Sequence, residues 1–137
     1  MSDSLFTEHD DRWIMNLRGR DVTRISVDHR LTLLVDPGVH IAFASPFELT
    51  HGPHGTSEPV VLTPQRQDVI PALGLFKAKV LSAVAFKTGS IRLVFDNGRH
   101  LNSRADPDFE AWEVRGPEGR LIIATPGGDL AVWSGQG

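Results

Sequence analysis

Apolar and polar residues alternate with a period of two over most of the chain, and the alternation becomes regular at Val22. Ile25 and Val27 share one side with Arg24 and Ser26 on the other, Asp28-His29-Arg30 turns the chain, and Leu31, Leu33 and Val35 resume the pattern. Half-buried strands joined by a short polar turn read this way, so a β-hairpin is expected. Asp36-Pro37-Gly38 makes a second turn, after which Val39, Ile41 and Phe43 alternate up to Pro46. Proline lacks a ladder donor and marks an edge or bulge there, with Phe47 and Leu49 able to continue beyond it. The pattern returns over Val80 to Phe86 and Ile91 to Phe95, followed by the turn Asp96-Asn97-Gly98. Leu31, Leu33, Val35, Asp36, Gly38, His40 and Ile41 find Ile91, Leu93, Phe95, Asp96, Gly98, His100 and Leu101 sixty residues later, and Val22, Ile25 and Val27 find Leu81, Val84 and Phe86 at fifty-nine. This fits internal duplication of a three-strand unit. Two unrelated hairpins with Asp-x-Gly turns would look the same.

Three more apolar runs close the chain between Asp106 and Trp133, separated by Gly116-Pro117-Glu118-Gly119 and Pro126-Gly127-Gly128-Asp129. Proline presets one dihedral of a turn and glycine accepts a positive one, so this segment reads as a three-stranded meander. The stretch Thr50 to Pro59 has almost nothing to bury and reads as a loop, with the short run Val60-Val61-Leu62 after it. Thr63 before Pro64 is an N-cap followed by proline at the first helical position, and Val69, Ile70 and Leu73 would share a face of one short helix, limited to about two turns by Pro71. Trp13 to Leu17 is too short to separate helix from strand.

These elements predict an all-β fold with one short helix: about eight or nine short strands, mainly antiparallel, in a barrel or a two-layer sandwich. Residues 1–11 are polar and aperiodic and read as a disordered tail, and residues 12–135 as a single β-rich domain. Within it, 12–50 is the first repeat unit, 51–79 the loop and short helix, 80–105 the second repeat unit and 106–133 the terminal meander.

Composition narrows the chemistry more than the fold. At 137 residues one core closes without disulfide or metal support, and thirteen glycines with nine prolines favour short strands over long helices. A formal charge of −3, with no window rich in lysine and arginine, gives no electrostatic reason to expect nucleic acid or an anionic membrane as partner. Cysteine is absent, which excludes disulfides, thiolate metal sites and cysteine nucleophiles. The acidic N-terminus has no signal-peptide core and no run is long enough to span a bilayer, so a soluble cytoplasmic protein is expected.

Asp106-Pro107-Asp108-Phe109-Glu110-Ala111-Trp112, Gly116-Pro117-Glu118-Gly119 and Pro126-Gly127-Gly128-Asp129-Leu130-Ala131-Val132-Trp133 together resemble a family of small uncharacterised actinobacterial proteins classed as a domain of unknown function. Arg20-Asp21-Val22-Thr23-Arg24-Ile25 and Phe95-Asp96-Asn97-Gly98 resemble its first half and the turn before its terminal motif. The chain departs from that pattern at Thr125, where members carry apolar or cysteine residues. The spacing of Trp, Gly-Pro and terminal Trp is also loosely similar to small immunity proteins of bacterial toxin systems, which act by binding a toxin. Neither resemblance supplies a catalytic residue.

Asp106, Asp108 and Glu110 alternate in an extended segment and could hold a hard cation, but the glycine and distant glutamate of a calcium loop are missing, and Asp-Pro-Asp is equally a turn whose aspartate accepts backbone amides. His51 and His54 could approach one metal with His40 as a third ligand, although a pair in a loop lacks the fixed geometry of a helical pair. No Gly-x-Ser-x-Gly elbow occurs, and Pro126-Gly127-Gly128-Asp129 leads into a strand, where a phosphate loop would lead into a helix. What remains is an interaction surface: Trp112 and Val114 on one strand and Leu130, Val132 and Trp133 on the last, both of whose faces are apolar. The expected function is therefore a non-enzymatic protein-binding β-domain, immunity-like or regulatory, needing no cofactor and taking a protein partner or a second copy. The alternative is a small metal-dependent or ligand-binding enzyme using the carboxylate or histidine group.

Overall fold

A computed structural model describes residues 5–53 and 55–134. Among them, thirteen strands form two antiparallel sheets. The first sheet runs β1 (Phe6–Glu8), β2 (Arg12–Met15), β8 (Val80–Phe86), β9 (Ile91–Phe95), β10 (Arg99–Ser103), β6 (Phe47–His51), β7 (Val60–Leu62). The second runs β13 (Leu130–Ser134), β12 (Arg120–Ala124), β11 (Trp112–Arg115), β5 (Val39–Phe43), β4 (Leu31–Val35), β3 (Val22–Val27). Neither sheet closes on itself, so the fold is a sandwich and not a barrel. Strand number exceeds the sequence expectation because very short pieces pair: β1, placed in the tail by sequence, is held by Phe6 against Met15 of β2, with Phe6 buried.

The two three-strand units occupy opposite sheets and share one architecture. Val22 pairs with Val35 and Val80 with Phe95, and each unit has a bulge at the next position, before Arg24 and before Ser82. Pairing thus relates the first strands at a spacing of 58 (Val22 to Val80) and the second at 60 (Val35 to Phe95). Apolar matching alone gave 59 for the first strands, because Leu81, Val84 and Phe86 are bulky like Val22, Ile25 and Val27. A one-residue slip exchanges the two faces of a strand, and the core positions are Val80, Ala83 and Ala85.

The units are joined by hydrogen bonds that repeat under the same spacing. Val22 N donates to Ala78 O at 2.9 Å and Val80 N to Arg20 O at 2.8 Å; Gly19 N donates to Val80 O and Lys77 N to Val22 O, both at 2.8 Å. Asp21 and Lys79 bridge at the centre, with Lys79 Nζ 2.8 Å from Asp21 Oδ1. An approximate two-fold axis therefore passes between them. Past the third strand each unit crosses over: β6 follows β5 but lies beside β10, and β11 follows β10 but lies beside β5. Val114 opposite Ile41 and Leu49 opposite Leu101 are equivalent pairs, which puts Trp112 and Phe47, two of the largest buried side chains, in equivalent places.

The inward row Ile25, Leu33, Ile41, Val114 and Ile122 builds the core of the second sheet and runs out to solvent at Val132. The helix expected after Thr63 is two short 3-10 turns, Pro64–Arg66 and Ile70–Leu75. Gln67 is left-handed with φ 54°, Thr63 makes no side-chain cap, and a bridge between Thr63 and Asp68 closes the first turn. A 3-10 turn repeats every three residues, so Val69, Ala72 and Leu75 face the core while Ile70, Leu73 and Phe76 face outward. This separates Val69 from Ile70 and Leu73, which a helical period had put on one face. No helix among the described residues is long and apolar enough to cross a membrane.

Candidate functional site

The carboxylates of Asp106, Asp108 and Glu110 do not converge. Asp106 turns back on its own loop: its Oδ1 accepts the backbone amides of Asp108 at 2.8 Å and Phe109 at 3.2 Å, and its Oδ2 accepts the Ser45 hydroxyl at 3.1 Å. The Asp108 amide is the main cause of a carboxyl pKa below its ordinary value, helped by Ser45 and Phe109 and opposed by partial burial. Asp108 and Glu110 are exposed. His51 lies in β6 opposite Arg99, whereas His40 lies in β5 of the other sheet opposite Arg115, and His54 is outside the described residues. Among the described residues no group of three or more His, Cys, Asp or Glu side chains is placed to hold a metal ion. Asp106 acts as a fastener for the turn. A carboxyl depressed on folding contributes stability above its ordinary titration range and loses it as pH falls through the folded value. The gap in urea midpoint between wild type and Asp106→Asn is therefore expected to be widest near neutral pH and to narrow on acidification. A gap constant with pH would exclude this role.

Asp106 belongs to a corner where the singled-out turn residues meet. Trp112 is buried, and its indole Nε1 donates to the carbonyl of Gly89 at 2.9 Å, pinning the β8–β9 turn. Gly128 lies against that turn so closely that a Cβ on Gly89 would stand 2.9 Å from Gly128 Cα. Gly127 N in turn donates to Asp106 O at 3.0 Å. Over this corner runs an open cleft with two lobes that share Ser90 and Arg104. One, of about 420 Å³, is lined by Glu48, Val61, Asn102 and Ser103; the other, of about 450 Å³, by Thr88, Asp106, Gly127 and Gly128. Nearby, His100 has its pKa pushed down by partial burial and then by the Arg92 guanidinium.

The sequence pattern of a family described as a family of unknown function, DUF6188, matches residues 13–134. The chain belongs to this family. No curated protein and no solved structure matches it. The DUF6188 match thus begins inside β2, runs through β13 and leaves β1 before it.

Of the five residues expected to form an interaction surface, two are buried in this DUF6188 fold. Trp112 and Val114 lie on the central strand β11, whose inward side chains are covered by the opposite sheet, and both are buried. Leu130 is partly buried against the core, while Val132 and Trp133 are 38% and 52% exposed. Trp133 is on the outer face beside Leu121, and Val132 ends the inward row beside Ile122. Sequence reasoning passed over Ser90, Asn102, Ser103 and Arg104 of the cleft. Each is an ordinary polar residue at a strand end, and only strand pairing brings them together.

Proposed function

We propose that this is a non-enzymatic, cytoplasmic protein-binding β-domain that pairs through the free edge of β13 with a second copy of itself. The observation that carries the reading is that, among the described residues, β13 has none of the devices that guard the other sheet edges. β1 and β7 are three residues long, and β7 lies between Pro59 and Pro64. β3 has a bulge and hydrogen bonds to Lys77 and Ala78. By contrast β13 is five residues long, uncharged, free of proline and in regular register with β12. An unguarded apolar edge is a template for another strand.

Self-pairing fits the side chains. An antiparallel copy centred on Val132 sets Ala131 opposite Trp133 on the outer face, small against large, with no like charges facing each other. The inner side offers room as well: a hollow of about 470 Å³ lies between β13 and the β1–β2 edge, lined by Trp13, Leu130 and Val132 and by the charged Glu8, Lys87 and Asp129. The loose resemblance of the Trp, Gly-Pro and terminal Trp spacing to small toxin-immunity proteins supports a role exerted by occupying a partner surface, immunity-like or regulatory.

Thr125 N donates to Asp129 O, which makes that pair the bonded one; by antiparallel alternation Ala131 and Trp133 bond to β12 while the amides of Leu130 and Val132 point to the free edge. Val132→Pro therefore removes an outward donor and keeps the inner ladder. Sedimentation across the micromolar to millimolar range is expected to show a wild-type dimer and a folded Val132→Pro monomer. A wild-type monomer throughout, or a dimer indifferent to the substitution, overturns pairing through β13.

A further inference from the structure

We propose that the cleft over Ser90 and Arg104 binds a carboxylate carried on a short apolar limb. It is built on the seven-stranded sheet, shares no residue with β13 and does not depend on the pairing proposed above.

The row Val84, Arg92, Asn102, Glu48, Val61 crosses that sheet from β8 to β7. Arg104 lies two residues beyond Asn102 and so on the same side of the chain, where β6, β9 and β10 run out. Two donors of the cleft lining have no acceptor among the described residues. The Ser103 hydroxyl is on a residue only 2% exposed, and the Asn102 side-chain nitrogen is likewise buried and unbonded. Arg104 is exposed and has no ion pair among the described residues. Folded proteins pair their buried donors almost without exception, and a lining of such groups beside an open cavity calls for acceptors from a ligand.

The charge balance selects the acceptor. Arg104 supplies one unpaired cation at the mouth, and Asn102, Ser103 and Ser90 supply neutral donors. Glu48 lines the same lobe and is engaged in an interaction of its own. A singly charged carboxylate, which one guanidinium neutralises, suits this set better than a phosphate dianion. Val61, 54% exposed, and Phe47 provide the apolar wall for the limb.

Titration of isotopically labelled protein with 3-methylbutanoate, followed by NMR, tests this. The expected result is saturable shifts of the Asn102 side-chain amide and of the Ser90 and Arg104 backbone amides. The neutral analogue 3-methylbutanamide is expected to leave them unmoved, and Arg104→Gln, at an exposed position, to weaken binding roughly tenfold with the fold intact. Absence of saturable shifts, equal response to the amide, or an unchanged Kd in Arg104→Gln would overturn the assignment. A parallel titration with N-acetyl-Gly-Val, free or amidated at its C-terminus, separates the sources. Tighter binding of the free peptide than of 3-methylbutanoate identifies a chain terminus; equal or weaker binding identifies a small free acid.

Discussion

Trp112→Ala is expected to cost roughly 3–5 kcal/mol, the range for truncating a large buried aromatic side chain. That is a large share of the roughly 5–15 kcal/mol that stabilises a domain of ordinary size. Trp112 is buried at the centre of the second sheet, paired with Phe43, whose ring lies 5.0 Å from that of Phe47 between centroids. Its removal therefore opens space in the core where the two crossed-over strands β6 and β11 meet their neighbours. Trp112→Phe separates packing from hydrogen bonding: the ring remains, but the Gly89 carbonyl loses its donor, and a buried acceptor left unpaired costs about 1–3 kcal/mol. Trp133→Ser is the contrasting substitution. Trp133 is half exposed, and a surface change away from special features moves monomer stability by no more than about 0.5 kcal/mol. Urea midpoints of the three variants check the ordering. A small effect at Trp112 together with a large one at Trp133 would contradict the burial of the first and the exposure of the second.

The two tryptophans mark where sequence reading stops. Each sits in a short run with the same alternation, and alternation tells which residues of a strand share a face without telling whether the strand is central or at an edge. β11 lies between β5 and β12 because β10 hands the chain to the opposite sheet, and that crossover leaves no local trace. The strands themselves were legible where period-two runs end in Asp-Pro-Gly, Asp-Asn-Gly or Pro-Gly-Gly, since turn chemistry is local. The repeat was legible at sixty for the second and third strands. Its first strands were misaligned by one residue because the outward Leu81, Val84 and Phe86 are bulkier than the inward Val80, Ala83 and Ala85, and because the β8–β9 connection is longer than the β3–β4 one. β8 also buries Val84 on its outer face, so size alone could not identify its inward residues. The cleft was least legible of all. Glu48, Ser90 and Asn102 come from separate segments, and the signal at the cleft is its unpaired buried donors on Asn102 and Ser103, which exists only once the sheet has formed.

Gly89→Ala is the second large effect, and its size follows from two separate causes. Gly89 has φ +104°, a conformation that costs an L-residue about 1–2 kcal/mol. Its added Cβ would also stand 2.7 Å from Ala105 Cβ and 2.9 Å from both the Cα and the carbonyl oxygen of Gly128. These neighbours cannot yield as a flexible side chain can. The Gly128 turn is tied by Thr125 Oγ1 donating to Asp129 O at 2.8 Å and by Gly127 N donating to Asp106 O at 3.0 Å. Overpacking adds about 1–3 kcal/mol, so the total expected cost is roughly 2–5 kcal/mol. Gly98→Ala isolates the first cause: Gly98 has φ +85° but nothing within 4 Å of an added Cβ, so it should cost only the backbone share. Coupling then locates the damage. If the extra methyl drives the turn away from Trp112, the indole has already lost the Gly89 carbonyl, and adding Trp112→Phe should cost less than it does alone by more than about 0.5 kcal/mol. Strictly additive costs would mean that the turn absorbs the methyl while keeping the indole bond, and that the corner yields on the Gly128 side instead.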